Sequence, residues 1–156
     1  MASPKRVLCV CIGNSDRSPL MAAVLQMYLD KAGQEVVCES VGIDEKAAGT
    51  GAPAAPFGIR AGGNLGLDIS KHKRRHISSV NVDDFDLIVC ASDHIAAVVM
   101  GDNRERLKRI HNADIANPWP VQRQEQFENK TMPAILTAMY EVVRYHFPPP
   151  APFAAT

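Results

Sequence analysis

Short unbroken apolar runs alternate along this chain with segments in which apolar residues recur every three or four positions. Val7-Leu8-Cys9-Val10-Cys11 is partly β-branched and almost wholly apolar, the pattern of a central parallel strand covered on both faces. A polar turn follows, Ile12-Gly13-Asn14-Ser15-Asp16-Arg17. Ser18 then reads as an N-cap and Pro19 as the first helical residue. Leu20, Met21, Val24, Leu25 and Tyr28 keep helical spacing, so a helix is predicted to about Lys31, stopped with the help of Gly33.

A second strand is predicted over 35–40, centred on Val36 and Val37. The stretch 42–66 is rich in Gly, Ala and Pro and is expected to be irregular, with a short helix at 56–63. Asp86-Leu87-Ile88-Val89-Cys90-Ala91 reads as a buried strand, and Ser92 or Asp93 as the cap of a helix carrying Ile95, Val98 and Val99. A fourth strand is predicted over 107–111. A long helical pattern fills 124–147, with a kink or break near Met132 because Pro133 interrupts it.

Strands alternating with helices through short joins predict an α/β fold, a single open four-stranded parallel sheet with helices on both faces. Residues 1–147 form the expected single domain, and 148–156 a Pro/Ala-rich flexible tail. Ligands bind such sheets outside the carboxyl ends of the strands, where residues 11–18 would lie.

Composition narrows the function classes. The chain has 156 residues, 46% of them hydrophobic, and 17 basic against 17 acidic side chains. A formal net charge of zero gives no reason to expect nucleic acid or an anionic membrane as partner. The apolar runs are too short to span a bilayer, and the N-terminal run turns polar at Asn14, so a buried strand is expected and not a signal peptide. Cys9, Cys11, Cys38 and Cys90 match no zinc spacing, and Cys9-Val10-Cys11 is a poor local disulfide frame. Free thiols in a reducing cytoplasm, with no metal and no cofactor, are the expectation.

The segment 11–17 has the features of a phosphate cradle. Backbone amides at a helix start bind a dianion without desolvating charged donors. Gly13 permits close approach or positive φ, and Arg17 can offer a bidentate fork to phosphoryl oxygens. The same donors would depress the Cys11 thiol pKa and make it a nucleophile toward phosphorus. A phosphocysteine would then be hydrolysed by water. Ile12, Gly13, Asn14, Ser15, Asp16 and Ser18 are the candidate binding residues beside Cys11 and Arg17.

Cys11-Ile12-Gly13-Asn14-Ser15-Asp16-Arg17-Ser18-Pro19 closely resembles the opening motif of the low-molecular-weight protein tyrosine phosphatases, a superfamily that includes thioredoxin-coupled arsenate reductases. The resemblance extends in order and spacing over about 7–147, including Asp68-Ile69-Ser70-Lys71-His72-Lys73-Arg74-Arg75 and the strand at 86–91. It implies Cys11 as nucleophile, Arg17 as phosphate and transition-state clamp, Asn14 as loop organiser and Ser18 as thiolate donor. It also implies a cytoplasmic hydrolase acting on a phosphorylated protein or small phosphomonoester.

The chain departs from the family pattern. Asp16 stands where many family phosphatases carry a second cysteine, and it is expected to point outward. Asp114-Ile115-Ala116-Asn117-Pro118-Trp119 puts Asn117 where the family has its general acid, and an amide gives no proton at neutral pH. Asp114 is the nearest substitute, or else a turn carboxylate. Trp119 is either a wall for an aromatic substrate or a packing residue. The basic run 71–76 reads as a solvated surface able to steer phosphorylated ligands. A phosphate- or phosphoprotein-binding protein with little turnover is the alternative, or another cysteine-dependent reaction on an anionic substrate.

Overall fold

Four parallel strands build the sheet: β1 (Arg6–Cys11), β2 (Val37–Gly42), β3 (Leu87–Cys90) and β4 (Ile110–Asn112). Their order is β2-β1-β3-β4. The structure, a computed structural model, describes residues 3–121 and 123–149. Val7, Leu8, Cys9 and Val10 are wholly buried, as an apolar central strand requires. Helices flank the sheet on both faces, as expected for this strand–helix alternation.

The helices are α1 (Arg17–Lys31), α2 (Glu45–Ala48), α3 (Pro56–Gly63), α4 (Asp93–Met100), α5 (Gln124–Gln126) and α6 (Met132–His146). Helix α1 turns Leu20, Met21, Val24 and Leu25 into the core, the face predicted from their spacing. Its outer flank meets α6, where Tyr28 donates its hydroxyl proton to the Leu136 carbonyl at 3.3 Å and packs edge-on against Tyr140. Ser92 stands at the start of α4, although its side chain makes no capping bond.

Three boundaries differ from expectation. Strand β2 runs on to Gly42 because it pairs with β1 as far as Cys11↔Gly42. Strand β4 begins only at Ile110, since Arg104–Arg109 winds as a 3-10 helix first. The helical segment from Gln124 to His146 is irregular a turn earlier than Met132: Phe127–Thr131 is a π-helical turn joining α5 to α6. Pro133 has no N–H to return to the preceding turn and its ring crowds that turn's carbonyl, and a widened turn before it relieves both. Of the expected flexible tail at 148–156, residues 150–156 lie outside the described residues.

Candidate active site

The carboxyl end of β1 and the start of α1 are joined by residues 12–16, and this loop is held from within by Asn14. Asn14 adopts φ 55, a left-handed conformation that Asn tolerates better than most residues. Its side-chain amide donates to Ser18 Oγ at 2.8 Å and Ser40 Oγ at 3.0 Å, while its Oδ1 accepts the Arg75 amide at 2.8 Å. Its backbone amide donates to Cys11 Sγ at 3.3 Å, and its carbonyl meets His72 Nε2 at 2.9 Å. Asn14 is wholly buried, so these partners replace the water it loses.

The positive φ therefore belongs to Asn14 and not to Gly13. Gly13 serves close approach, since a Cβ there would come within 3.4 Å of the Ala47 methyl group. Gly42 is more constrained: a Cβ there would stand 2.5 Å from the Ile12 carbonyl and 2.8 Å from the Asn14 amide nitrogen. Only glycine at the end of β2 lets the loop fold across it.

Ser18 does not cap α1; its hydroxyl turns inward, 3.0 Å from Cys11 Sγ and 3.2 Å from the Val41 carbonyl. The cap is Asp16. An N-cap side chain ordinarily accepts from the second or third helical amide. Here the third residue is Pro19, which has no amide to offer. Asp16 Oδ1 accepts the Arg17 amide instead, at 2.8 Å.

Asp16 thus points inward, against expectation. It is 3% exposed, and its Oδ2 is the one buried side-chain polar atom without a hydrogen-bond partner among the described residues. Burial pushes its carboxyl above the usual carboxylate value, opposed by the Arg17 amide and by the Arg17 and Arg74 guanidinia. Burial likewise raises the Cys11 thiol from its usual value, with the Ser18 hydroxyl and amide and Arg17 pulling it down and Asp16 pushing it further up. The expected depression of this pKa is absent because burial outweighs the Ser18 and Arg17 contributions, with Asp16 adding to the rise.

Arg17 is 3% exposed and donates from Nη1 to the Ile115 carbonyl at 2.8 Å. Its guanidinium bridges the cradle to the loop after β4. That loop is anchored to β3 by Ala113 N–H on the Cys90 carbonyl and Ile115 N–H on the Ala91 carbonyl. Asp114 stands between them, exposed, with φ 53 and its amide on Asn112 Oδ1. Asn117 is exposed and spends its side-chain oxygen on the Trp119 amide at 3.1 Å.

Trp119 is half exposed and lies edge-on to Phe57 of α3, with ring centroids 5.1 Å apart. Asp114, Asn117 and Trp119 line one cavity of about 430 Å³, walled on its other side by Gln126, Phe127 and Lys130. No residue of the 11–18 loop lines it. The predicted site residues therefore form two groups: a cradle at 11–18, and a rim at 114–119 tied to it through Arg17 and Ile115.

Sequence reasoning missed Ser40, the Ile115 carbonyl and the individual role of His72. A serine near a strand end carries no signal, and a backbone carbonyl carries none at all. His72 lay within the basic run, yet it is partly buried against Asn14 and its pKa is pushed down by burial.

Comparison with known proteins decides the lineage. The sequence profile of the low molecular weight phosphotyrosine protein phosphatases matches residues 6–135. The chain belongs to this family. It is a phosphatase-type hydrolase, from a family that acts on phosphorylated proteins and phosphomonoesters. A probable low molecular weight protein-tyrosine-phosphatase, EpsP of Ralstonia nicotianae, is 30% identical over 124 residues, covering 80% of this chain and 75% of the relative. Among solved structures, Vibrio vulnificus Wzb in complex with benzylphosphonate superposes with a TM-score of 0.79 at 23% identity, over 90% of this chain and 98% of that one. The YwlE arginine phosphatase of Geobacillus stearothermophilus superposes at 0.77 with 20% identity, over 91% and 92%. No helix among the described residues is long and apolar enough to cross a membrane.

Proposed function

We propose that this chain is a cysteine-dependent phosphomonoesterase of the cytoplasm with a weak or specialised turnover of aryl phosphates such as phosphotyrosine. The observation that carries the reading is the Asn14-organised loop, which presents Cys11 Sγ beside Ser18 Oγ at the start of α1. Four free cysteines suit a reducing compartment.

In this reading the phosphoryl group enters the loop with its oxygens toward the backbone amides of 12–17, and the Arg17 guanidinium leaves the Ile115 carbonyl to fork two of them. Ser18 turns its hydroxyl proton from the Val41 carbonyl to the Cys11 sulfur, which supports the thiolate. Sulfur attacks phosphorus in line, the S–P bond forming as the ester P–O bond breaks. Water then attacks the phosphocysteine, returns the thiolate and releases inorganic phosphate.

The leaving oxygen needs a proton, and Asp114 is better placed to supply it than Asn117. Asp114 precedes Ile115, whose carbonyl sits on Arg17, whereas Asn117 is folded back onto the Trp119 amide. Trp119 and Phe57 supply the aromatic wall of the rim. Hydrolysis of an aryl phosphate, lost in Cys11→Ser and accompanied in the parent protein by a phosphocysteine trapped on rapid quenching, tests the reading. Activity surviving Cys11→Ser overturns it.

Binding with little turnover is the second reading. It is favoured by the self-engagement of Arg17 with Ile115 and by the amide at Asn117. Single-turnover release of phosphate slower than ligand exchange would establish it.

A further inference from the structure

Asp16 buries a carboxylate within the 11–18 loop beside Arg17 and Cys11, in a role that the phosphatase reading leaves unassigned. Its Oδ1 occupies the Arg17 amide, the first amide of α1 and one of those a phosphoryl oxygen would use. Its Oδ2 is buried and has no donor. The charged and titratable groups around it are the Arg17 and Arg74 guanidinia and the neutral Cys11 thiol. His72 stands on the same loop wall through Asn14. Helix α3 contributes no charge at this contact: it meets Asp16 with Gly58, where a Cβ would lie 3.6 Å from that of Asp16.

Two like charges cannot share so small a dry space without cost. A dianion entering beside an ionised Asp16 faces a carboxylate that it can neither hydrogen-bond nor displace into water. A single proton between Oδ2 and an oxyanion oxygen removes the conflict. It arrives either as a carboxylic acid donating to a fully ionised oxyanion, or on a phosphoryl monoanion donating to the carboxylate. Both give the unpartnered Oδ2 its missing bond.

We propose that Asp16 is a specificity-determining residue that makes oxyanion binding in the 11–18 loop require one bound proton, shared between Asp16 Oδ2 and the ligand. The inference rests on reading that loop as a phosphate cradle. It deepens the reading by naming the ligand as a protonated oxyanion, or an oxyanion that accepts a proton. An ionised dianion such as sulfate binds only when Asp16 itself carries the proton. A phosphate monoester binds over a wider pH range, because it can bring its own.

The test uses sulfate and inorganic phosphate as probes and calorimetry as the readout, in a Cys11→Ser background that removes thiol titration. Sulfate does not titrate between about pH 5 and about pH 8, so any proton taken up belongs to the protein. With Asp16 present, sulfate affinity is expected to fall about tenfold per pH unit above the Asp16 pKa, with about one proton taken up per sulfate bound. Titrations in buffers of different ionisation enthalpy count that proton. In Cys11→Ser/Asp16→Asn the slope and the proton uptake disappear, apart from a His72 contribution common to both proteins. Sulfate affinity at neutral pH then rises toward that of phosphate.

Equal slopes and equal proton counts in the two proteins, with binding intact, overturn the role of Asp16 and leave the cradle standing. Absence of any sulfate or phosphate binding, unaffected by Arg17→Ala, overturns the cradle and this inference together. Asp16→Ser, which lacks the planar amide, repeats the measurement should Asp16→Asn fold poorly.

Discussion

Ser18 Oγ lies 3.0 Å from Cys11 Sγ, and its single proton has a second acceptor in the Val41 carbonyl at 3.2 Å. Asn14 Nδ2 already donates to the same oxygen, so Ser18 has one proton to assign and two places for it. When Cys11 is a neutral thiol, S–H donates to Ser18 and the hydroxyl proton serves Val41. When Cys11 ionises, the proton swings to sulfur. Ser18→Ala removes that response and is expected to slow alkylation of Cys11 at neutral pH by roughly tenfold or more, the worth of a hydrogen bond to a charged group. A pH series of iodoacetamide rates reads it. Cys38 and Cys90 serve as references, both pushed up to about 12 chiefly by burial. An unchanged Cys11 profile in Ser18→Ala would falsify this assignment.

Asp16 has a stability consequence separate from ligand binding. Its folded-state pKa is raised, with burial as the largest cause. The neutral form is favoured in the folded protein, so the penalty is absent below the unfolded pKa and grows as pH rises through the folded one. Asp16→Asn keeps an acceptor for the Arg17 amide and removes the buried charge, so it is expected to stabilise the protein at neutral pH with little gain in acid. Denaturant midpoints at both pH values check this. A gain that is equal at both would point to packing and not to charge.

The His111–His146 pair carries the opposite sign. His111 Nδ1 and His146 Nε2 are 2.9 Å apart and join β4 to the end of α6. Burial lowers both pKa values, while Glu141 pulls His111 back up and His111 lowers His146 further. The stability the pair contributes is present above the unfolded pKa and is lost as pH falls from there through the lowered folded values. Thermal unfolding from about pH 7 down to about pH 5 should show a drop that His146→Gln reduces. An identical pH profile in the variant would remove the pair from the account.

Asn14 tests how far the loop depends on one residue. Asn14→Gly keeps access to φ 55 but removes three side-chain hydrogen bonds, leaving Ser40 and the Arg75 amide without their Asn14 partner. The expected loss is about 2–4 kcal/mol of stability, together with oxyanion binding. Asn14→Ala adds the strain of a left-handed alanine and should be worse than Asn14→Gly by about 1 kcal/mol. Reversal of that order would mean that backbone conformation does not limit this position.

The parts of this molecule that were legible in its sequence are those where one physical requirement dominates. Val7–Cys11 and Leu87–Cys90 are short, apolar and wholly buried, so they read as central strands without ambiguity. Pro56 announces α3 from its first turn, and Pro19 places the start of α1 to within two residues, although the cap is Asp16 and not Ser18. Strand β2 was misplaced because its end is set by pairing with Cys11 and by the fit of Gly42 under the loop, neither of which is local. Asp16 was read outward because a carboxylate in a polar turn ordinarily meets water. Its burial follows from Pro19 lacking an amide and from Gly58 making room, a relationship over forty positions of chain that no local pattern records.

The proton for the leaving group separates Asp114 from Asn117. Arg17 ties the cradle to the rim at the Ile115 carbonyl, one residue beyond Asp114. Asn117 is bound in a turn to the Trp119 amide, and its amide has no proton to give. Loss of a general acid costs about 10²–10⁴-fold where the leaving group is poor, and little where it leaves readily as an anion. Asp114→Asn is therefore expected to reduce turnover of phosphotyrosine by about that factor and to spare an activated aryl phosphate such as a nitrophenyl ester. It should also abolish the fall in rate on the alkaline side, which reports deprotonation of the acid. Asn117→Asp should add little, since its oxygen can still accept the Trp119 amide and its proton remains in the turn. If instead Asn117→Asp raises phosphotyrosine turnover and creates a new alkaline limb while Asp114→Asn is silent, the rim opens in catalysis and position 117 holds the working acid. Paired leaving groups, assayed across pH in both variants, separate these outcomes, because only a true proton donor changes leaving-group sensitivity and pH profile together.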